Sequence, residues 1–362
     1  MNTEQKNLKR LRNRVKALVK KNEGLCPQRS AGWFEARNIA ISASEVSACL
    51  TNTEEICRPY IEEFNIQGFK IDGKCCSHFD DKEEYIIKKC RSFFGENVFK
   101  DSIYTLWGKK YEEIATRFYR QLKNTEVLEF GSLPHSRLNW IRASPDGITP
   151  DGVMLEIKCP FSRKINGIVP HHYWQQIQLQ LEVADLDVCD FLECELVELE
   201  NEELYLNFVP LEDQRKGILI NILDEPDNSE TKYIYPPDTL LTTEQFLEWA
   251  DQTITQLNLN GKNAKKLYWV IVKWNIIVVN RRKDWFETVK PILKNTHKFF
   301  RNFQENPELF NKYKESIHLI KNKKHIDKYN ETTCLIHTEF DVEEDFVMDY
   351  EQSDQDCLIS DI

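Results

Sequence analysis

Helical and strand-like periods alternate along the 362 residues, and the pattern predicts an α/β (or α+β) fold, a mixed central β-sheet flanked by helices. Three observations carry this prediction. The stretch LWGKKYEEIATRFYRQL has an unbroken helical period, apolar runs and DG dipeptides alternate between Val127 and Cys159, and CDFLECELVE and KLYWVIVKWNIIVVN read as long strands.

In chain order, residues 1–22 set Leu8, Leu11, Val15, Leu18 and Val19 at helical spacing among basic residues, an amphipathic basic helix. It reads equally as a surface helix packed on the body or as an arm contacting phosphates. In GWFEARNIAISASEVSACL, Ser42 or Ser44 is placed to cap a helix starting near Glu45. Residues 51–100 hold an Asn/Gly/Cys-rich segment and then a helix-like stretch, DDKEEYIIKKCRSFF. From Leu106 a helix places Leu106, Tyr111, Ile114, Ala115, Phe118 and Leu122 on one face. The DG pairs Asp146-Gly147 and Asp151-Gly152 predict a strand hairpin over Val127–Cys159. HHYWQQIQLQLEVAD returns to helical period, with Tyr173, Ile177, Leu181 and Ala184 on one side. The strand CDFLECELVE follows, then a polar, Pro-containing segment over about 200–265, the strand KLYWVIVKWNIIVVN and a closing helix, RKDWFETVKPILKNTHKFFRNF.

Composition sets the limits. Hydrophobic residues at 41% are enough for a sizeable core, and no apolar run approaches the ~18 residues of a membrane span. The basic N-terminus lacks the apolar core of a signal peptide. Eleven cysteines without a CxxC pair indicate neither a disulfide framework nor a zinc ribbon, so a reducing, intracellular setting is expected. The spacing of Cys75, Cys76, His78 and Cys90 matches no zinc pattern. No Gly-rich phosphate loop supports a kinase or ATPase. Eleven acidic residues after Lys328 account for the whole net charge of −11, so residues 1–328 are balanced. The chain is therefore basic at one end and acidic at the other. The tail from about Ile326 is expected to be largely disordered, with Phe340, Phe346, Tyr350, Leu358 and Ile359 among its carboxylates, a composition suited to docking on a basic, apolar groove.

The chemistry concentrates in ASPDGITPDGVMLEIKCP, residues 143–160. Strand alternation in VMLEIKC puts Glu156 and Lys158 on one side and Leu155 and Ile157 toward the core, with Cys159 also read as core. A turn at Asp146-Gly147 is expected to bring the Asp146 carboxylate to the same edge as Glu156. Paired carboxylates suit a hard divalent cation such as Mg²⁺ or Mn²⁺, completed by water and phosphate oxygens. A lysine beside them can hold or deprotonate an attacking water and offset charge developing on phosphorus. E-x-K alone is more commonly an ordinary surface salt bridge. With SPDG before it and Cys-Pro after it, the segment resembles the PD-(D/E)xK nuclease motif.

The resemblance extends along the chain. RSAGWFEARNIAISASEV, LWGKKYEEIA, SPDG, LEIKCP and YWQQIQLQLEV stand in the order of the lambda exonuclease/YqaJ-type viral recombinase family, over roughly residues 29–195, and VIVKWNIIVVNRRKDWFETVKPIL is similar to its last strand and closing helix. The resemblance implies a restriction-endonuclease-like nuclease domain over 29–305, with insertions near 51–100 and 200–265. Residues 1–28 then form a basic arm, and 306–362 a C-terminal extension. It implies that Asp146, Glu156, Glu112 and the Ile157 carbonyl hold Mg²⁺, that Lys158 and Gln176 assist the reaction, and that Arg37, Ser44 and Gln178 bind substrate, Arg37 and Ser44 at a terminal 5′-phosphate. The implied activity is a metal-dependent DNA exonuclease degrading duplex ends 5′ to 3′ for recombination or end processing in a virus or phage. A homo-oligomeric ring-like trimer and a replication partner such as a single-strand annealing protein are the implied assemblies, in the host cytoplasm or at a viral replication site, with no membrane partner. An endonuclease, a structure-specific nuclease or an inactive DNA-binding module are the alternatives.

Overall fold

A computed structural model describes residues 3–50, 70–72, 82–96, 101–227, 229, 231–240 and 242–333. The chain divides into two compact units, Met1–Phe310 and Asn311–Ile362.

The first unit opens with helix α1 (Thr3–Asn22), then α2 (Ala31–Asn38), the short strand β1 (Ile41–Ser42), a single 3₁₀ turn (Ala43–Glu45) and α3 (Val46–Cys49). Strand β2 (Lys70–Asp72) and α4 (Lys82–Phe93) lie in the 51–100 segment. Helix α5 (Ile103–Lys123) is followed by β3 (Leu133–Pro134), β4 (Ile141–Ala143), β5 (Gly147–Ile148), β6 (Val153–Lys158) and β7 (Ile168–Pro170). After α6 (His171–Ala184) come β8 (Val188–Leu199), α7 (Glu202–Asn207), β9 (Arg215–Ile222), β10 (Tyr233–Ile234), α8 (Thr243–Leu259), β11 (Ala264–Asn280) and α9 (Lys283–Glu305). The described part of the second unit lies within α10 (Pro307–Thr333), which takes in residues 326–333 at the start of the tail expected to be largely disordered. The rest of the acidic tail, and Cys75, Cys76 and His78, lie outside the described residues.

A six-stranded mixed sheet, ordered β10-β9-β11-β8-β6-β5, forms the centre. Strands β6 and β8 are parallel and joined through α6, a crossover that an apolar strand, a helix and a second apolar strand in succession require. The long β11 runs antiparallel to both β8 and β9, with a register shift between Ile271 and Lys273. Helix α5 covers one face of the sheet: Tyr111, Ile114, Ala115, Phe118 and Tyr119 pack against Leu155, Ile157, Leu192, Cys194 and Leu196. Each leucine, isoleucine or phenylalanine among them contributes about 1.5–3 kcal/mol by burial. Helix α6 lies over the other face, with Trp174, Ile177, Leu181 and Ala184 buried.

Two expectations are corrected. The 200–265 segment is not merely polar: its RKGILINI run forms β9, and TEQFLEWADQTITQLNL forms α8 behind a Thr242 cap and a Gln245 capping box. Together with Tyr205 and Tyr268 they bury a second apolar cluster containing Ile218, Ile220 and Ala250. The Asp146-Gly147 pair is not a turn. Gly147 begins β5, opposite Leu155 of β6, and a Cβ there would meet Val127 Cγ1 at 2.1 Å. The chain reverses instead at Thr149 to Gly152, where the Gly152 amide donates to the Thr149 carbonyl and Gly152 adopts φ +86°.

Helix α1 is docked on the body. Val15 and Leu18 are buried, Arg12 pairs with Asp151 at 2.7 Å, Arg14 donates to the Ala184 carbonyl at 2.7 Å, and Arg10 pairs with Asp187. Among the described residues, no helix is long and apolar enough to cross a membrane.

Candidate active site

The site forms where β5, β6, α5 and α6 meet. The β5–β6 register pairs Gly147 with Leu155, so one step further along the ladder Asp146 stands opposite Glu156. Its Oδ2 accepts the Ile157 amide at 2.6 Å, which fixes the carboxylate against β6. Ile157, expected to offer its carbonyl, is thus tied to Asp146 through its N–H.

Glu156 has no solvent exposure. Both faces of β6 are covered, so alternation alone does not place this carboxylate at a surface; it points into the layer between the sheet and α6. Three donors satisfy it. Lys158 Nζ lies 2.5 Å and Gln176 Nε2 2.6 Å from Oε1, and Gln180 Nε2 lies 2.8 Å from Oε2. A buried carboxylate without such partners would cost several kcal/mol, so these amides are part of its existence here. The Lys158 ammonium also lies 4.7 Å from the Tyr173 ring.

Glu112 projects from α5, and its Oε2 takes Arg29 Nη2 at 2.8 Å. Arg29 itself stands at φ +68°, an uncommon conformation for a side-chain-bearing residue. The neighbouring Gln28 amide donates to the carbonyls of Phe130 at 2.8 Å and Pro145 at 3.1 Å, which pins this loop beside the SPDG segment.

The electrostatics follow from crowding. Burial, then repulsion from Glu156 and Glu112, pushes the Asp146 carboxyl well above its ordinary range. Burial raises Glu112 too, opposed by Arg29 and Lys158 and reinforced by Glu156. Burial works against the Lys158 charge, but Glu156, Asp146 and Tyr173 outweigh it and the ammonium is stabilised. Among the described residues, no three His, Cys, Asp or Glu side chains are grouped so as to hold a metal ion. Asp146, Glu156 and Glu112 instead repel each other while engaged to protein donors, a repulsion that a hard cation completing its shell with water and phosphate would relieve.

A second cluster adjoins the first. Trp33 Nε1 donates to Ser144 Oγ at 2.9 Å, two residues before Asp146. The Arg37 guanidinium lies 4.3 Å from the Trp33 ring, and its Nη2 donates to Ser44 Oγ at 2.9 Å. Arg37 and Ser44 are therefore together and linked through one indole to the SPDG loop. Ser42 holds the N-cap position of the 3₁₀ turn, where its amide donates to Glu45 Oε2 at 3.0 Å, and Glu45, not a serine, stands at the N-cap of α3.

Gln178, expected at the substrate, is corrected by the structure. It is buried, its Nε2 donates to the Asn280 carbonyl at 2.9 Å, and its Oε1 accepts the Arg282 amide at 2.7 Å. It clamps the end of β11 to α6. Residues two apart on a helix point to different sides, whereas Gln176 and Gln180, four apart, share one. Sequence reasoning missed Gln180, and that spacing is the signal that finds it. Arg29, Ser144 and Tyr173 were also missed, and nothing local in the sequence distinguishes them. Cys90, considered for zinc, is buried on α4, and Cys159 is buried as expected.

Comparison with known proteins follows the same segments. Residues 32–187 match the family model of the YqaJ-like viral recombinase domain. An uncharacterized protein of Acanthamoeba polyphaga mimivirus is 32% identical over 254 residues, 59% of this chain and 46% of that protein. The chain thus spans about half the length of the curated relative it matches. Among solved structures, the alkaline exonuclease LHK-Exo of Laribacter hongkongensis is similar with TM-score 0.43 and 14% identity, covering 80% of this chain and 100% of that one. A phage-related exonuclease from Haemophilus somnus gives TM-score 0.36 at 13% identity, covering 62% of this chain and 82% of that one.

Proposed function

We propose, from the match of residues 32–187 to the YqaJ-like viral recombinase domain family, that the chain is a metal-dependent DNA exonuclease acting on duplex ends. The observation that carries the reading is Glu156, a fully buried carboxylate held by Lys158, Gln176 and Gln180 directly opposite Asp146. A structural ion pair does not call for a second carboxylate set opposite a fully buried one; a phosphodiesterase site does.

Asp146, Glu156 and Glu112 would hold Mg²⁺, with Mn²⁺ as a substitute and the Ile157 carbonyl as a further donor. When bound, the ion supplies Lewis-acid polarisation of the phosphodiester and acidifies water. The protein's own residues do the rest. Gln176 and Gln180 orient Glu156, the Ile157 amide orients Asp146, and Lys158 donates hydrogen bonds to the attacking water and to the phosphoryl oxygen on which charge grows. Arg37 and Ser44 provide a guanidinium fork and a hydroxyl for a terminal 5′-phosphate, which sets 5′ to 3′ polarity. A single strand left by such digestion suits recombination or end processing in a virus or phage. A homo-oligomeric ring-like trimer, a replication partner on the acidic tail, and a setting in the host cytoplasm or a viral replication site complete the reading.

The test is degradation of linear duplex DNA with Mg²⁺, phosphorylated at one 5′ end and labelled at either end, beside covalently closed circles. Mononucleotides from the phosphorylated end, intact circles and an inactive Lys158→Ala protein are expected. Cut circles would make it an endonuclease, and no metal-dependent cutting would leave a DNA-binding module.

A further inference from the structure

Glu45 should spoil the Arg37 and Ser44 pair. Its carboxylate follows Ser44 directly and lies 3.9 Å from the Arg37 guanidinium, near enough to compete with any phosphate for that cation. Its hold on Arg37 stays long because another residue takes the carboxylate at closer range. Lys89 Nζ lies 2.7 Å from Oε2 and 3.0 Å from Oε1 of Glu45, and the Ser42 amide adds a third bond at 3.0 Å. Lys89 is 5% exposed, and its ammonium lies 5.8 Å from the Phe300 ring and 6.0 Å from the Tyr85 ring. Burying a lysine so deeply is costly unless its charge is matched.

The local charge count explains the arrangement. Two cations, Arg37 and Lys89, face one carboxylate, while burial pushes the Cys49 thiol up to about 12 and raises the Tyr85 phenol, so both stay neutral. One positive charge remains, and it sits on Arg37, whose Nη2 rests on a neutral hydroxyl. We propose that Lys89 is a positioning residue that occupies Glu45 and so keeps Arg37 and Ser44 open to the terminal phosphate of a DNA end. This rests on the 5′-phosphate reading given above. Lys89 comes from α4, in the segment read from sequence as an insertion, so the added helix serves the site.

The experiment compares degradation rates of duplex ends carrying a 5′-phosphate or a 5′-hydroxyl. In Lys89→Met, Glu45 pairs with Arg37, and the preference for phosphorylated ends falls about tenfold, the loss of one charge-assisted hydrogen bond. In Glu45→Gln the preference persists, and in the double variant Lys89→Met with Glu45→Gln it returns, a rescue that a merely structural role for Lys89 does not produce. Circular-dichroism melts establish that each variant is folded at the assay temperature. If Lys89→Met does not fold, the other two decide. Loss of preference in Glu45→Gln or in the folded double variant overturns the inference, as does a folded Lys89→Met with wild-type preference. Arg37→Ala separates this from the parent reading: if that variant keeps the full preference, the phosphate grip itself is wrong and the inference falls with it.

Discussion

Gln180 Nε2 donates to Glu156 Oε2 across 2.8 Å, so a helix layered on the sheet satisfies a carboxylate that its own strand leaves half-bonded. The same helix carries Gln178 two residues earlier, turned to the carbonyl of Asn280 and the amide of Arg282. The two glutamines should fail differently. Gln180→Ala lowers the cleavage rate about 10- to 100-fold, as loss of a supporting hydrogen bond at a ligand does. Gln178→Ala costs about 1–3 kcal/mol of stability and leaves the rate per folded molecule near wild type. Paired melts and rate measurements check this, and the reverse pattern would return Gln178 to the site.

Lys158 is held by Glu156 at 2.5 Å and by the Tyr173 ring at 4.7 Å, a geometry specific to a compact ammonium. Lys158→Ala is expected to reduce cleavage by about 10²- to 10⁴-fold, and Lys158→Arg does not restore it, because a planar fork cannot take the same position. Single-turnover rates at saturating DNA measure the chemical step; recovery in the arginine variant would reduce Lys158 to a simple positive charge.

Asp146 holds its proton more tightly when folded than when unfolded, because burial and then Glu156 and Glu112 disfavour its charge. The group therefore favours the folded state below the unfolded carboxyl range near about 4 and loses that benefit as pH rises through the higher folded value. In chelator, Asp146→Asn should be more stable than wild type by roughly 1–2 kcal/mol at about pH 8, and the gap should close near about pH 4. Thermal melts across this range read the difference. A wild type as stable as the variant at the alkaline end would mean that the carboxylates do not strain each other.

Helix α1 is anchored through Val15 and Leu18, both buried, and Leu11 contacts the turn at Gly152. Leu18→Ala is expected to cost about 2–5 kcal/mol, the range for truncating a buried leucine. Denaturant titration would detect it, and a loss within error would mean that the basic helix is only loosely attached.

The helices and strands with clear periods were legible in the sequence because a repeat of 3.6 or 2 is a local property. Thus α5, α6, β8, β11 and α9 stand where their patterns put them. Asp146, Glu156 and Lys158 were legible as a motif for the same reason, being within one short segment. The sequence also carried Gln176 and Arg37, but only through resemblance. What it could not carry is proximity between distant segments. Burial of Glu156 depends on α6 lying over β6, the partner of Glu112 is an arginine in the loop before α2, and the closest cation to Glu45 is Lys89, 44 positions away in the chain. Composition and period determine which elements form; only the packing of those elements decides which charges meet, since an ion pair is set by distance in space and by the water excluded around it.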